Sequence, residues 1–137
     1  MKNRRSFIKK SSAALALAGL STVAKNAEAG EVKLTNALMH HVFFWLKEPK
    51  NQEHREQFEK AMNALLKVET IKLSHVGIPA ATEERGVVDN TYTYSYMVMF
   101  DTLEDQFVYQ KHPIHLKFIE ENSHLWNKVV VYDAVDI

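Results

Sequence analysis

Two segments of this chain are rich in apolar side chains on both of the faces that a β-strand presents. Residues 38–47 read LMHHVFFWLK, and residues 91–100 read TYTYSYMVMF. Successive side chains of a strand point to opposite faces, so each strand would be apolar on both sides. An antiparallel sheet normally leaves its uncovered face polar. We therefore expect the protein's own helices to cover one face and a second copy of the chain to cover the other. The alternative is a monomer with scattered exposed aromatic side chains.

Alternation along each strand divides its side chains into two sets. In the first segment the sets are His40, Val42, Phe44 and Leu46 on one face, and Met39, His41, Phe43 and Trp45 on the other. In the second segment one set comprises Tyr92, Tyr94, Tyr96, Val98 and Phe100, and the other contains Met97 and Met99. We expect the tyrosine stripe to belong to the core or an interface rather than to a platform for ligand stacking.

An amphipathic helix is predicted after the first strand. Asn51 is a suitable N-cap. Beyond it, apolar side chains recur at helical spacing, and they are Phe58, Ala61, Met62, Leu65 and Leu66. Glu56 and Lys60 lie four residues apart, and we expect them to pair on the solvent side of the helix.

Proline divides a second predicted helix near the end of the chain. Asp101 or Thr102 can cap its start, and it runs through residue 110. Pro113 interrupts this helix but suits the first turn of a new one, so helical structure resumes at residues 113–122. Two further strands are predicted at residues 70–78 and 129–135.

The resulting order, β-α-β-β-α-β, is that of the ferredoxin-like fold, which is of the α+β class. This fold has a four-stranded antiparallel sheet with both helices on one face. The second apolar face of the sheet is therefore the one left for a homodimer partner.

Residues 1–29 have the features of an export signal. Arg4 and Arg5, followed by two apolar residues and a lysine, resemble the twin-arginine signal, and a mildly apolar run follows at residues 13–20. Ala27-Glu28-Ala29 fits a cleavage site before residue 30. We expect passage through the twin-arginine translocase to the periplasm or the extracellular space. A linker at 30–37 and a domain at 38–137 would follow. The alternative interpretation of residues 1–29 is a disordered basic tail.

The apolar run is shorter than the roughly 20 strongly apolar residues that span a bilayer. No stable membrane anchor is therefore expected after cleavage. Residues 1–29 hold six basic residues and one acid, which leaves 11 basic and 16 acidic residues in the remainder, a net charge of −5. Such a domain does not have the clustered positive charge that nucleic acid binding requires. The chain has no cysteine, which excludes disulfides, thiolate metal sites and a cysteine nucleophile.

Three stretches resemble the stress-responsive α/β-barrel domain family, also called Dabb. They are residues 40–47 (HHVFFWLK), residues 94–101 (YSYMVMFD) and, most specifically, residues 109–118 (YQKHPIHLKF), with Trp126 and residues 129–133 following. The resemblance covers residues 38–135. It implies a ferredoxin-like fold whose sheets pair into a dimeric α/β barrel. The family includes stress-induced and antifungal plant proteins and a polyketide cyclase.

Four polar residues are expected to converge on the helix-facing side of the sheet, and they are Tyr109, His115, His40 and Asp133. Apolar residues are expected to line the same pocket, namely Val42, Phe44, Phe58, Met62, Trp126, Val129 and Val131. An apolar pocket with a few convergent polar groups is typical of a small-ligand site. We expect a small apolar or aromatic ligand, no cofactor and no resident metal.

A carboxylate that hydrogen-bonds one nitrogen of a histidine fixes its tautomer and makes it a better base. His115, paired with Asp133 or Tyr109, could abstract a proton from a carbon acid next to a carbonyl. The resemblance implies that the second histidine of His-Pro-x-His, here His115, is the acid/base and that Tyr109 assists it, with His40 and Asp133 in support. Met62 stands where the cyclase has a tyrosine, which removes a polar contact for a phenolic substrate.

The histidines also have purely structural interpretations, which are alternatives to these catalytic roles. His115 can be a core histidine that holds helix to sheet, and His112 can simply cap the resumed helix. His112 and His115 have metal-ligand spacing but need a third ligand. The leading functional hypothesis is an exported, dimeric stress-response domain that binds a small ligand. The alternatives are a cofactor-independent cyclase, lyase or isomerase that uses His115 and Tyr109, and a structural dimer with a filled pocket.

Overall fold

The computed structural model describes residues 34–137, which form a four-stranded antiparallel sheet and three α-helices. The strands are β1 (Leu38–Leu46), β2 (Leu73–Gly77), β3 (Tyr94–Phe100) and β4 (Trp126–Val135). The helices are α1 (Gln52–Leu65), α2 (Leu103–Lys111) and α3 (Pro113–Asn122). The strands lie in the order β2-β3-β1-β4, so the predicted ferredoxin-like fold is confirmed. The predicted export signal lies outside the described residues.

The caps of the helices are those that the sequence predicts. Asn51 Oδ1 accepts a hydrogen bond from the backbone N–H of His54 at 3.2 Å, and Thr102 Oγ1 accepts one from Asp105 at 3.1 Å. The predicted pairing of Glu56 with Lys60 is wrong. Within residues 34–137 the Glu56 carboxylate accepts instead from the side chain of Gln52, one turn earlier, at 2.9 Å.

Tyr92 does not lie with the other tyrosines, so its predicted place in the stripe is also wrong. β3 begins at Tyr94, and the ring of Tyr92 packs on the opposite face of the sheet, 4.9 Å from the ring of Phe43. The cause is Thr93, whose N–H donates to Phe44 and whose hydroxyl accepts from the N–H of Leu46. A side-chain hydrogen bond in the ladder breaks the alternation on which the prediction depended.

An aromatic cluster forms the core beneath the helices. Phe58 on α1 is fully buried, and its ring lies 5.0 Å from Phe44, 5.4 Å from Tyr94 and 5.8 Å from both Phe118 and Trp126. One side chain therefore joins α1, α3 and three strands of the sheet.

We expect Phe58→Ala to lower the free energy of unfolding by about 3–5 kcal/mol, because it removes a buried ring and leaves a cavity that this cluster cannot fill. Urea denaturation at fixed protein concentration measures the effect. Phe107→Ala is the matched control, since Phe107 on α2 is 48% exposed, and it should change the same quantity by less than about 0.5–1 kcal/mol. Equal losses in the two variants would contradict this assignment of the core.

The sheet face that points away from the helices, here called the open face, is also apolar. Its β1 members, Met39, His41, Phe43 and Trp45, are half-buried, and their cross-strand neighbours include Met97, Met99, Val130 and Tyr132. Residues 34–137 contain no helix that is both long and apolar enough to span a bilayer.

Candidate functional site

A cleft of about 290 Å³ opens between the helices and the β1–β4 side of the sheet. β4 is an edge strand, and the helices leave its inner side partly uncovered, with Val129 37% and Val131 44% exposed. The lining residues are His40, Val42, Phe44, Leu65, Tyr96, Tyr109, Gln110, His115, Phe118, Ile119, Trp126, Val129 and Val131. The walls are thus mostly apolar, with imidazole and phenol groups among them.

The interruption of the helix at Pro113 positions His115 at this cleft. In an unbroken helix the carbonyl of Gln110 would accept from the N–H of Ile114. Here the N–H of Ile114 donates to Nδ1 of His112 at 3.1 Å, so that His112 caps α3 as one interpretation of the sequence expected. The carbonyl of Gln110 is left without its helical donor, and Nδ1 of His115 lies 3.1 Å from it. The spacing His-Pro-x-His therefore has a direct structural reason.

This hydrogen bond determines the tautomer of His115. A carbonyl oxygen can only accept, so Nδ1 carries the hydrogen and Nε2 keeps its lone pair in the neutral ring. Burial lowers the pKa of His115; the bond to Gln110 opposes the shift, and the nearby His40 adds to it. His115 is therefore neutral at pH 7, with Nε2 available as a base or hydrogen-bond acceptor.

Tyr109 lies between the two histidines of the cleft. Its ring centroid is 4.8 Å from that of His115 and 5.8 Å from that of His40. The Tyr109 hydroxyl donates to the hydroxyl of Tyr96 across 3.4 Å. Burial raises the pKa of Tyr109 to about 12 and raises the pKa of Tyr96 as well. Both phenols stay protonated near neutral pH, so they can donate hydrogen bonds but do not act as anions.

Asp133 pairs with His40 rather than with His115. Asp133 Oδ1 lies 2.6 Å from Nδ1 of His40, which fits the register, since the two residues are cross-strand partners on β4 and β1. An ionised carboxylate only accepts, so Nδ1 of His40 is the donor. The predicted hydrogen bond from His115 to Asp133 or Tyr109 is wrong, because the backbone of Gln110 takes that place.

Three of the predicted pocket residues do not line the cleft, and one of them is Asp133, which pairs with His40. Phe58 is covered by Phe118 and Trp126, whose rings stack 5.7 Å apart and form part of the wall. Met62 is 1% exposed and faces the β2–β3 side of the sheet, where Val76 and Tyr94 are neighbours in a separate depression. Helix α1 thus contributes only Leu65 to the wall, and the loss of a tyrosine at Met62 has little bearing on this cleft.

Several lining residues were not predicted. Gln110 contributes through its backbone, which side-chain chemistry does not reveal, although the helix break at Pro113 was a usable signal. Tyr96 could have been found from the sheet register, because it pairs with Val42. His112 faces away from the cleft, and its Nε2 lies 3.2 Å from the carboxylate of Glu69. Among residues 34–137, no group of three or more acidic or histidine side chains is arranged to hold a metal.

A model of the Stress responsive A/B Barrel Domain family matches residues 38–136. Similar solved structures include a Dabb family protein with a ferredoxin-like fold from Mesorhizobium loti (18% identity, TM-score 0.62, 74% of this chain and 97% of that one). Another is a dimeric ferredoxin-like protein of unknown function from Thermobifida fusca (17%, 0.59, 72% and 90%). A third is the hydroxynitrile lyase of Passiflora edulis (21%, 0.62, 74% and 94%). No curated protein is similar enough in sequence to count as a relative.

Proposed function

The chain belongs to the stress responsive A/B barrel domain family, and we propose that it is an exported homodimer whose cleft binds a small, neutral, mostly apolar molecule. The observation that carries the proposal is the cleft itself. It has about 290 Å³ of space, apolar walls and a few polar groups whose hydrogen-bonding roles are fixed. Such a composition selects a compact molecule with one or two polar atoms over a charged or extended one.

The open face supports the homodimer. Phe43 lies at its centre, with ring contacts to His41, Tyr92 and Tyr132 at centroid distances of 4.2, 4.9 and 6.0 Å. Burial lowers the pKa of His41, with smaller contributions from His75 and His40, so this imidazole is neutral and compatible with an apolar interface. The Thermobifida fusca protein, which has the same fold, is described as dimeric.

Export is the proposal that the first 29 residues support. Paired arginines, a mildly apolar run and a small-x-small site occur in the order of a twin-arginine signal. On this proposal the mature domain works in the periplasm or outside the cell, and the translocase is its partner only during export.

A second candidate function is proton transfer by His115. The observation that favours it is the bond to the Gln110 carbonyl, which directs the hydrogen to Nδ1 and leaves Nε2 as the base. Tyr109 lies beside it as a protonated phenol, and its single hydrogen would have to turn from the Tyr96 hydroxyl to polarise a substrate oxygen. The hydroxynitrile lyase of Passiflora edulis has the same fold, so this fold is compatible with lyase activity.

The binding proposal is tested by narrowing the cleft. We expect Val131→Phe to weaken binding of 2-naphthol, a neutral bicyclic probe with one hydroxyl, by about tenfold or more, because the added ring occupies the opening. Isothermal titration calorimetry measures the affinity. Val108→Phe is the control, since Val108 is 39% exposed on α2 and lies outside the cleft, and it should bind like the unaltered protein. Undiminished binding by Val131→Phe, or none by the unaltered protein, would reject the proposal.

A further inference from the structure

A second and larger concavity lies between α1 and α3 on the outer surface of the helical layer. Its volume is about 570 Å³, within the range of small-molecule sites. We call it the α1–α3 groove, and its lining residues are Gln57, Lys60, Ala61, Ala64, Lys67, Ile114, Lys117, Phe118, Glu121 and Asn122.

The groove is separate from the cleft of the proposed function. The two share only Phe118. On α3, His115 and Ile119 face the cleft, whereas Lys117 and Glu121 face the groove. A ligand in one site therefore need not exclude a ligand in the other.

The floor of the groove is apolar, and a polar side chain held by two hydrogen bonds lies at one end of it. Ala61 and Ala64 lie one turn apart on α1, and their small side chains leave the space that Ile114 and Phe118 line from below. Asn122 is 4% exposed at the polar end. Its Nδ2 donates to the carbonyl of Phe118 at 2.9 Å, and its Oδ1 accepts from Gln57 at 3.3 Å.

The rim of the groove carries a net positive charge, whereas the domain as a whole carries a net negative charge. Lys60, Lys67 and Lys117 line it with one acid, Glu121, although residues 30–137 contain 11 basic and 16 acidic residues. The Lys117 ammonium is 3.8 Å from the Glu121 carboxylate. Within residues 34–137, neither Lys60 nor Lys67 forms an ion pair. The expected partner of Lys60, Glu56, binds Gln52 instead, so two ammonium groups remain for a ligand.

We propose that the α1–α3 groove binds a free fatty acid, with the aliphatic tail on the alanine and phenylalanine floor and the carboxylate beside Lys60 and Lys67. Apolar burial favours the tail, and the ammonium groups complement the carboxylate as point charges. The chain's own first 29 residues carry six basic residues against one acid, so their charge does not complement this rim.

Calorimetric titration of the mature dimer with dodecanoate tests the proposal. The Lys60→Gln/Lys67→Gln variant should bind dodecanoate about tenfold more weakly, the effect of losing two partly screened ion pairs. Lys47→Gln/Lys50→Gln removes the same charge from exposed positions outside the groove and should bind like the unaltered protein. Dodecanol should bind the unaltered protein more weakly than dodecanoate does, and should not distinguish the three proteins.

A steric variant locates the ligand independently of charge. Ala64 is exposed on α1, so Ala64→Phe should fold normally and block dodecanoate by filling the floor. Unchanged binding in Ala64→Phe or in the double lysine variant would overturn the proposal, as would the absence of binding by the unaltered dimer. Loss of dodecanoate binding in the cleft variant Val131→Phe would instead place the fatty acid in the cleft, which also overturns it.

Discussion

Phe43→Arg is expected to convert the proposed homodimer into a monomer. Phe43 is half-buried at the centre of the open face, so in a single copy the longer side chain can extend its guanidinium into water. In the dimer, two-fold symmetry would bury two unpaired charges in the interface, each at a cost of several kcal/mol. We expect the dissociation constant to rise by about a thousandfold or more, about 4 kcal/mol. Sedimentation equilibrium measures it.

The control for this variant is Phe107→Arg. Phe107 is 48% exposed on α2, away from the open face, and the same substitution there should leave the dimer intact. A Phe43→Arg protein that stays dimeric would show that another surface forms the interface. If unaltered protein comprising residues 30–137 sedimented as a monomer at high concentration, the homodimer proposal itself would be wrong.

The second large effect is expected at His115. On the proposal that this residue is the base of a lyase reaction, with mandelonitrile as the test substrate, His115→Asn should reduce release of cyanide by about 10²–10⁴-fold, the usual contribution of general base catalysis. In the proposed reaction Nε2 would take the hydroxyl proton, the carbonyl would form, and the carbon–carbon bond would break with its electrons leaving on cyanide. Asparagine keeps a donor near the position of Nδ1 for the Gln110 carbonyl and removes Nε2, so the dimer and the melting temperature should not change.

His124→Gln is the matched control, because His124 is exposed and lies outside the cleft, and its turnover should equal that of the unaltered protein. A purely structural His115 predicts a different pattern for His115→Ala. The free energy of unfolding would fall by about 1–3 kcal/mol because the partner is left unpaired, with no effect on turnover or on 2-naphthol binding. That pattern, or full turnover in His115→Asn, would exclude the catalytic candidate.

The pH dependence of the same reaction follows from the pKa of His115. Burial lowers that pKa below its ordinary value of 6.5, so the base stays unprotonated to lower pH than a free histidine. Turnover should rise with pH to a midpoint below 6.5.

The free energy of unfolding should also rise with pH over this range. The unfolded chain binds the proton first as pH falls through 6.5, so the native state loses stability between that value and the lower folded pKa.

Local chemistry determined the elements of this fold. The helix start at Asn51 and the break at Pro113 are where the sequence places them, and the strand predicted at residues 38–47 is found at 38–46. Caps, proline and alternation act between neighbouring residues, which is why these features could be predicted. The apolar character of both faces of β1 was also readable from alternation alone. The gathering of His40, Tyr109 and His115 at one cleft followed from element order, since each lies on a predictable face of its strand or helix.

Tertiary structure decided which side chains on these helices and strands contact one another. His40 pairs with Asp133 because the register of β1 against β4 makes them cross-strand partners. His115 hydrogen-bonds the Gln110 carbonyl because the N–H of Ile114, its helical donor, binds the side chain of His112 instead. Tyr92 changes face because one threonine hydroxyl enters the ladder. The His40–Asp133 and Leu46–Thr93 pairings join atoms far apart in the chain, and composition or periodicity carries no information about those distances. His115 and Gln110 are only five residues apart, but they meet because of the exact geometry at which the helix breaks.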